Sequence, residues 1–502
     1  MSTLSDLLPA GSGGKNVNFV ASGSLPNGQT VGLKSDGTVE AIAGNAAFIS
    51  SPCVFDSNGQ KADPPTIFFD PDSNKVVLSY SDFSNGGYAT CIVGTVSGTT
   101  ITFTTPALVI NSYDSNRFCS AYDPDTQRGV VAYLRGDFPN YGIEVVVLTG
   151  IGSTLTKGGL VQVTTPSGTI ATGYHNYITM SYNTSANKIL ITYAKGGDSG
   201  GEIRGIVCTV NGGGTNTVTP AAIDGVLIEG SNYAPGNWAF HNYNTTTSSH
   251  LIAYIDSSTN LTAKVLTISG TTLTINTAVN SPNSGRIQNN VVQVTGTSNF
   301  IVTCEAADTS INVYMVAVSG SSITWQNSVV IDINSDRPVA SYNPDSNTVA
   351  IFFQQNNDGY VRYGNISGST ITFPDAKVRI DSTSSHSGVF TFPAAIYDTN
   401  VKRHVVMGKS TPNNAGVAYA LINGSTNNTS FIGIADAAIA NSATGSVTIK
   451  GGIATNASLP TLTPNSVYYL QSDGTISTTS TSPAVRIGKA LSSTSINLEF
   501  NS

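Results

Sequence analysis

The stretch Ala340-Ser341-Tyr342-Asn343-Pro344-Asp345-Ser346-Asn347-Thr348-Val349-Ala350-Ile351-Phe352-Phe353 constrains this chain more than any other, because copies of it recur along most of its length. Apolar and β-branched residues flank a run of turn formers, Asn343 to Asn347, so the unit reads as a β-hairpin. Clear copies start at Phe69-Asp70-Pro71-Asp72 and Tyr122-Asp123-Pro124-Asp125. Looser ones start at Tyr182-Asn183, Tyr243-Asn244 and Tyr397-Asp398, and the weakest starts at Val294.

A second hairpin keeps the same period. Val96-Ser97-Gly98-Thr99-Thr100-Ile101 returns as Ile268-Ser269-Gly270-Thr271-Thr272-Leu273, as Val318 to Ile323 and as Ile366 to Ile371, with looser forms around Gly150, Gly212 and Gly424. Two hairpins per repeat make four strands, and a four-strand repeat of about 50 residues is the signature of a propeller blade. The expected fold is therefore all-β: a seven-bladed β-propeller over residues 48–430, with small β-barrel or sandwich modules formed by the terminal segments, 1–47 and 431–502. Residues 1–14 read as a short amphipathic attachment piece ending in a Gly-rich joint, followed by a small β unit. The second half of that unit, Leu25 to Val39 with its Asp36-Gly37 turn, repeats as Leu459 to Ile476 with Asp473-Gly474, so the two ends carry related modules.

Only 11% of the residues are charged and the formal net charge is −7, which argues against a nucleic-acid partner and against an anionic membrane surface. Five cysteines, Cys53, Cys91, Cys119, Cys208 and Cys304, show no paired spacing and read as buried thiols. No basic and apolar leader opens the sequence and no segment reaches the length of a membrane span, so synthesis in a reducing cytoplasm is expected. No cofactor fingerprint is present and none is expected.

Ordinary propeller strand order places one set of residues around one mouth of the ring. Arg117, Tyr174 with His175, Trp238, Arg286 and Arg337 stand just ahead of the innermost strands. Asp82, Arg135, Asp137, Lys195, Asp198, Asp256 and Glu305 follow the second strands. In a chain so poor in charge, Arg117, His175, Trp238, Arg286 and Arg337 are the candidate ligand-binding residues, since guanidinium groups and an aromatic face can hold carbohydrate or carboxylate groups. The Asp-Pro-Asp-Ser-Asn turns place carboxylates at alternate positions, as calcium loops do, but no Glu closes a twelve-residue loop and hairpin chemistry explains them. For hydrolysis, Asp256 and Glu305 are the pair that would serve as acid and base. The repeated Ser-x-Asp-x-Gly-x-x-Trp box of sialidases is missing, and the chain has two tryptophans, Trp238 and Trp325.

The C-terminal segment carries a more specific pattern: Ile432-Gly433-Ile434-Ala435, Leu462-Thr463-Pro464, Tyr468-Tyr469-Leu470, Asp473-Gly474-Thr475-Ile476 and Arg486-Ile487-Gly488-Lys489-Ala490-Leu491. It resembles the small β modules at the ends of structural proteins of tailed bacteriophages, especially marine cyanobacterial phages. The opening Leu8-Pro9-Ala10-Gly11-Ser12-Gly13-Gly14-Lys15-Asn16-Val17-Asn18-Phe19 is similar to virion proteins of the same source. The resemblance covers the two ends and implies a virion component: capsid decoration, neck appendage or tail fibre. Its expected partners are other virion proteins, further copies of itself on the particle and a host cell-surface glycan, with no nucleic acid and no membrane insertion. Assembly in the host cytoplasm and release by lysis fit the missing leader. A glycan-cleaving propeller of the particle is the alternative.

Overall fold

The first Asp or Asn of each repeated turn builds that turn. Asp70 Oδ1 accepts the backbone N–H groups of Asp72 at 3.0 Å and Ser73 at 3.4 Å, and Asn343 Oδ1 accepts those of Asp345 at 2.9 Å and Ser346 at 3.4 Å. Asp123, Asn183, Asn244 and Asp398 act in the same way. All six are at most 5% exposed, so these oxygens are taken up by the turn's own donors, which is why such side chains favour turns. Four residues on, Asn74, Gln127, Asn187, Ser248, Asn347 and Lys402 sit in the left-handed region, with φ of 52–57°.

In three of the units the tyrosine then reaches the turn of the preceding one. Tyr122 donates to Asp72, Tyr397 donates to Asp345 Oδ2 at 2.9 Å, and the Tyr243 hydroxyl lies 2.8 Å from Ser185 Oγ. The sequence Tyr-Asp-Pro-Asp thus carries a link to the unit before, a turn, and an acceptor for the unit after.

A computed structural model describes the chain outside residues 1–14, 35, 43–51, 58–63, 99, 137–141, 166–176, 196–200, 234–238, 307, 357, 375, 381–390, 411–414, 423–429, 471–473, 480–484 and 500–502. Among the described residues no α-helix occurs and no helix is long and apolar enough to cross a membrane. The amphipathic piece expected at 1–14 and the hairpin expected around Gly424 lie outside the described residues.

The chain divides into two compact units, Phe48–Asn423 and Met1–Ala47 with Gly424–Ser502. The larger is a seven-bladed β-propeller. In blade 1, Thr66–Asp70 is innermost, followed outward by Lys75–Asp82 and Tyr88–Ser97. Where the second hairpin turns, Gly98, Gly270, Gly320 and Gly368 have φ of 58–61° at the first of two central positions. A positive φ there suits glycine and matches the right-handed twist of the strands. Strand Leu108–Asp123 begins on the edge of blade 1 and becomes the innermost strand of blade 2, and Val279–Gln293 joins blades 4 and 5 in the same manner. Blade 7 is built from Thr391–Asp398, Arg403–Lys409 and Gly416–Ile422, and its outer strand is Cys53–Asp56 from the start of the ring.

Seven apolar clusters fill the seven spaces between neighbouring blades. Between blades 2 and 3, for example, Val130, Ala132, Ile189 and Ile191 are fully buried. Burying one such Val or Ile side chain contributes about 1.5–3 kcal/mol, and closure of the ring leaves no sheet face of the seven uncovered.

The smaller unit holds two five-stranded sheets of the same topology. The first runs Asn16–Val20, Thr444–Ile449, Phe431–Ala435, Thr30–Leu33, Val39–Ala41; the second runs Ile453–Thr455, Ser495–Leu498, Val485–Ala490, Val467–Leu470, Ile476–Ser477. Strand for strand the chain order is equivalent, except that in the first sheet the propeller lies between the third and fourth strands. Even the bulges agree: the register slips around Ile432 in one sheet and Ile487 in the other. The glycine that follows has no room for a side chain in either copy, since a Cβ would sit 2.2 Å from Thr448 O at Gly433 and 1.8 Å from Asn497 O at Gly488. The related modules of the two ends are thus not one per end. The first draws strands from both.

Candidate functional site

The residues expected at the mouth start from a repeated irregularity of the innermost strands. In blade 2, Asn116 pairs with Leu134 and Cys119 with Ala132, so Arg117 and Phe118 together oppose Tyr133. In blade 6, Asp336 pairs with Gln354 and Val339 with Phe352, so Arg337 and Pro338 together oppose Phe353. Register shifts occur at the corresponding places in blades 5 and 7. Both arginines occupy the left-handed region, with φ of 58° for Arg117 and 55° for Arg337, an uncommon backbone for a long side chain. A bulge of this kind re-aims the side chain it carries.

The two arginines are re-aimed to different surroundings. The Arg117 guanidinium lies over the Tyr177 ring, 4.9 Å from its centroid, a cation–π contact on the next blade. Arg337 Nη1 donates to Gln354 Oε1 at 2.7 Å, and its Nε is 3.9 Å from Asp336 Oδ2. The backbone of Arg286 lies in strand Val279–Gln293, but its side chain is outside the described residues. His175, Trp238, Tyr174, Asp137 and Asp198 lie outside them altogether.

Several of the charges after the second strands serve the scaffold. Arg135 Nη1 donates to Glu144 Oε1 at 2.9 Å and stacks 4.0 Å from the Tyr113 centroid. Asp82 caps the short 3-10 turn Phe83–Asn85. Asp256 Oδ1 accepts from the backbone of Ser258 at 2.9 Å and Asn260 at 2.8 Å, while Oδ2 accepts from Asn260 Nδ2 at 3.0 Å. It is a turn-forming acceptor.

Two hollows remain. The central channel is a cavity of about 210 Å³, walled by the innermost strands of all seven blades and lined by Thr66, Arg117, Thr179, Asn242, Asn290, Ala340 and Ala395 among others. The second hollow, of about 350 Å³, is a cleft where blades 5 and 6 meet, on the side where the innermost strands begin. Glu305, Asn334, Asp336, Gln354, Gln355 and Asn356 line it. Burial raises the Asp336 carboxyl above its ordinary value, with the Arg337 charge opposing. Gln355 is fixed by donating to Ile333 O at 2.7 Å and Asp332 Oδ1 at 3.1 Å. Of the cleft, sequence reasoning picked out Glu305. The polar run that follows the apolar strand Thr348–Gln355 was the available signal for the rest.

Three buried imidazoles lie between blades. The His250 ring nitrogens are 3.0 Å from Ser181 Oγ and 3.1 Å from Asn183 Nδ2. His404 Nδ1 is 2.9 Å from Ser341 Oγ, and His241 Nδ1 is 2.7 Å from Thr179 Oγ1. Burial pushes His241 and His404 down to about 3 and His250 well below its usual value. All five cysteines are free thiols, four of them buried; burial pushes Cys91, Cys208 and Cys304 up to about 12.

Blades, closure and inter-blade clusters define the class: a seven-bladed β-propeller with a polar face at the start of its innermost strands. No family model matches the chain, and no curated protein matches it in sequence. Among solved structures it is similar to AofleA from Arthrobotrys oligospora, with 11% identity, 60% of this chain and 81% of that chain covered, and a TM-score of 0.41. It is also similar to the periplasmic gluconolactonase PpgL of Pseudomonas aeruginosa, with 9% identity, 72% and 96% covered, and a TM-score of 0.42. TolB from Acinetobacter baumannii gives 10% identity, 66% and 65% covered, and a TM-score of 0.34.

Proposed function

We propose that this chain is a non-enzymatic structural protein of a tailed phage particle, held through its terminal β unit and displaying the propeller to bind host surface glycans weakly. The observation that carries this reading is the insertion of a closed ring into the first of two like modules, a head and a separate unit made from both ends of the chain. The resemblance of the modules to those of phage structural proteins supports the same division of labour. Many copies on one particle make weak contacts useful, because linked sites gain avidity without new chemistry.

The chemistry of the acids favours binding over cleavage. Asp256, one half of the acid and base pair considered above, accepts three hydrogen bonds inside its own turn. The test is a cryo-electron-microscopy map of intact particles from the source phage, fitted with this chain. The expected result is density for many copies on the shell, neck or tail, with the duplicated modules against another virion protein. Particles that lack the chain overturn the proposal.

A further inference from the structure

We infer that the blade 3 turn between Asn183 and Lys188 is an acid-released latch: a proton taken up by His250 of blade 4 frees the turn and parts the two blades at that rim. The turn is where blade 4 takes hold of blade 3. The Tyr243 hydroxyl lies 2.8 Å from Ser185 Oγ, and Ser185 Oγ donates to Ser248 Oγ at 2.9 Å. The shape of that turn depends on one side chain, Asn183.

Hydrogen-bond polarity makes this side chain sensitive to acid. Asn183 Oδ1 accepts the backbone N–H groups of Ser185 at 3.0 Å and Ala186 at 2.9 Å. A backbone N–H can only donate, so the amide nitrogen must point the other way. There it lies 3.1 Å from His250 Nε2, which must therefore accept. The imidazole proton sits on Nδ1 and is donated to Ser181 Oγ at 3.0 Å. A second proton, on Nε2, would set two donors against each other. Asn183 and His250 are both fully buried, so bulk water does not separate them. Turning the amide over relieves the conflict, and that withdraws Oδ1 from Ser185 and Ala186.

The groups that meet the ring do not offset a new positive charge. His241, 5.5 Å away between centroids, is a second imidazole, held by the hydroxyls of Thr179 and Thr192 and by the Leu190 backbone. Tyr243, at 5.0 Å, brings a hydroxyl already bonded to Ser185. Blade 3 presents hydroxyls and an amide to both imidazoles, and among the described residues no carboxylate bonds either one. Burial holds His250 well below its usual value, with His241 acting in the same direction. The same tripeptide, Ser341-Tyr342-Asn343, faces His404 across blades 6 and 7. There His404 Nε2 has no hydrogen-bond partner, so the Asn343 turn stands apart from the imidazole.

The amides of Ser185 and Ala186 report the latch directly, because Asn183 Oδ1 holds them. Hydrogen exchange of the full chain, resolved to single amides and corrected for the intrinsic rate at each pH, is measured at about pH 7.5 and about pH 5. The released state takes up the proton that the closed state refuses. Release therefore grows as pH falls below the free imidazole value of about 6.5, by about thirtyfold at about pH 5. Ser185 and Ala186 should lose protection by that factor or more, while Ser73, Thr126 and Ser346, at the matching place in blades 1, 2 and 6, keep theirs. Asn183→Asp keeps the turn, since Asp70 and Asp123 build the same one, and offers its other oxygen to a protonated His250. His250→Gln leaves an acceptor for the Asn183 amide and has no proton to take up. Each variant should hold its protection in acid. A loss that survives Asn183→Asp, an equal loss in the turns of blades 1, 2 and 6, or no loss in the unaltered chain overturns the latch. If His250→Gln does not fold, Asn183→Asp decides alone.

Discussion

Buried imidazoles fix how this propeller responds to acid. His404 is fully buried, bonded to Ser341 and surrounded by the rings of Phe352, Tyr363 and Tyr397 at centroid distances of 5.0–6.4 Å. Its folded-state pKa is depressed to about 3, so the folded state binds the neutral form and the unfolded chain takes up the proton first. Stability is therefore complete above the unfolded value near 6.5 and falls as pH drops from there toward 3. Each such histidine costs about 1.4 kcal/mol at about pH 5.5, and His241 and His250 act in the same direction. Denaturant melts at about pH 7.5 and 5.5 should show this loss, and His404→Gln should flatten the slope. A slope unchanged by that substitution would place the proton uptake elsewhere. At the same scale, the turns were legible in the sequence because Asp70 or Asn343 bonds its own neighbours two and three residues on. The mouth was only partly legible: Arg117 and Arg337 stand at matching positions, but Arg117 finds its partner on the next blade and Arg337 finds its partners within its own.

Strands raise a different question, because a sheet partner is not encoded nearby. The count of seven blades could be read from the spacing of the hairpins. The outer strand of blade 7 could not, since Cys53-Val54-Phe55 is a short apolar run like many others and its partners are Ala418, Val417 and Gly416. Phe55 completes the space between blades 7 and 1, edge-on to Tyr80 at 4.9 Å and Phe103 at 5.8 Å. Truncation of a buried Phe typically costs about 3–5 kcal/mol. Phe55→Ala should lower stability by that amount, and hydrogen exchange should quicken first in Gly416–Ile422 while Ser249–Ile255 of blade 4 stays protected. Uniform loss of protection around the ring would mean that closure is not localised at this strand.

The whole molecule is a duplication interrupted by a ring. In the second module residues 478–484 connect the strands that the propeller separates in the first, Ile476–Ser477 and Val485–Ala490. A chain in which those seven residues replace 43–430 should fold alone, with a β-rich spectrum and a cooperative melt, because the sheets retain every strand. An unfolded product would show that the first module depends on the ring. Sequence had indicated related modules, but not that one of them is assembled from both ends, since nothing local marks Thr30–Leu33 as the neighbour of Phe431–Ala435.

Strand Cys53–Asp56 also sets a schedule. Its partner Gly416 leaves the ribosome 360 residues after Asp56, which at roughly 5–20 residues per second is a wait of roughly 20–70 s. Thr30–Leu33 waits longer still for Phe431–Ala435. The earliest strands made are the last to find their places, so for most of its synthesis the nascent chain carries open sheet edges that only its final residues can cover.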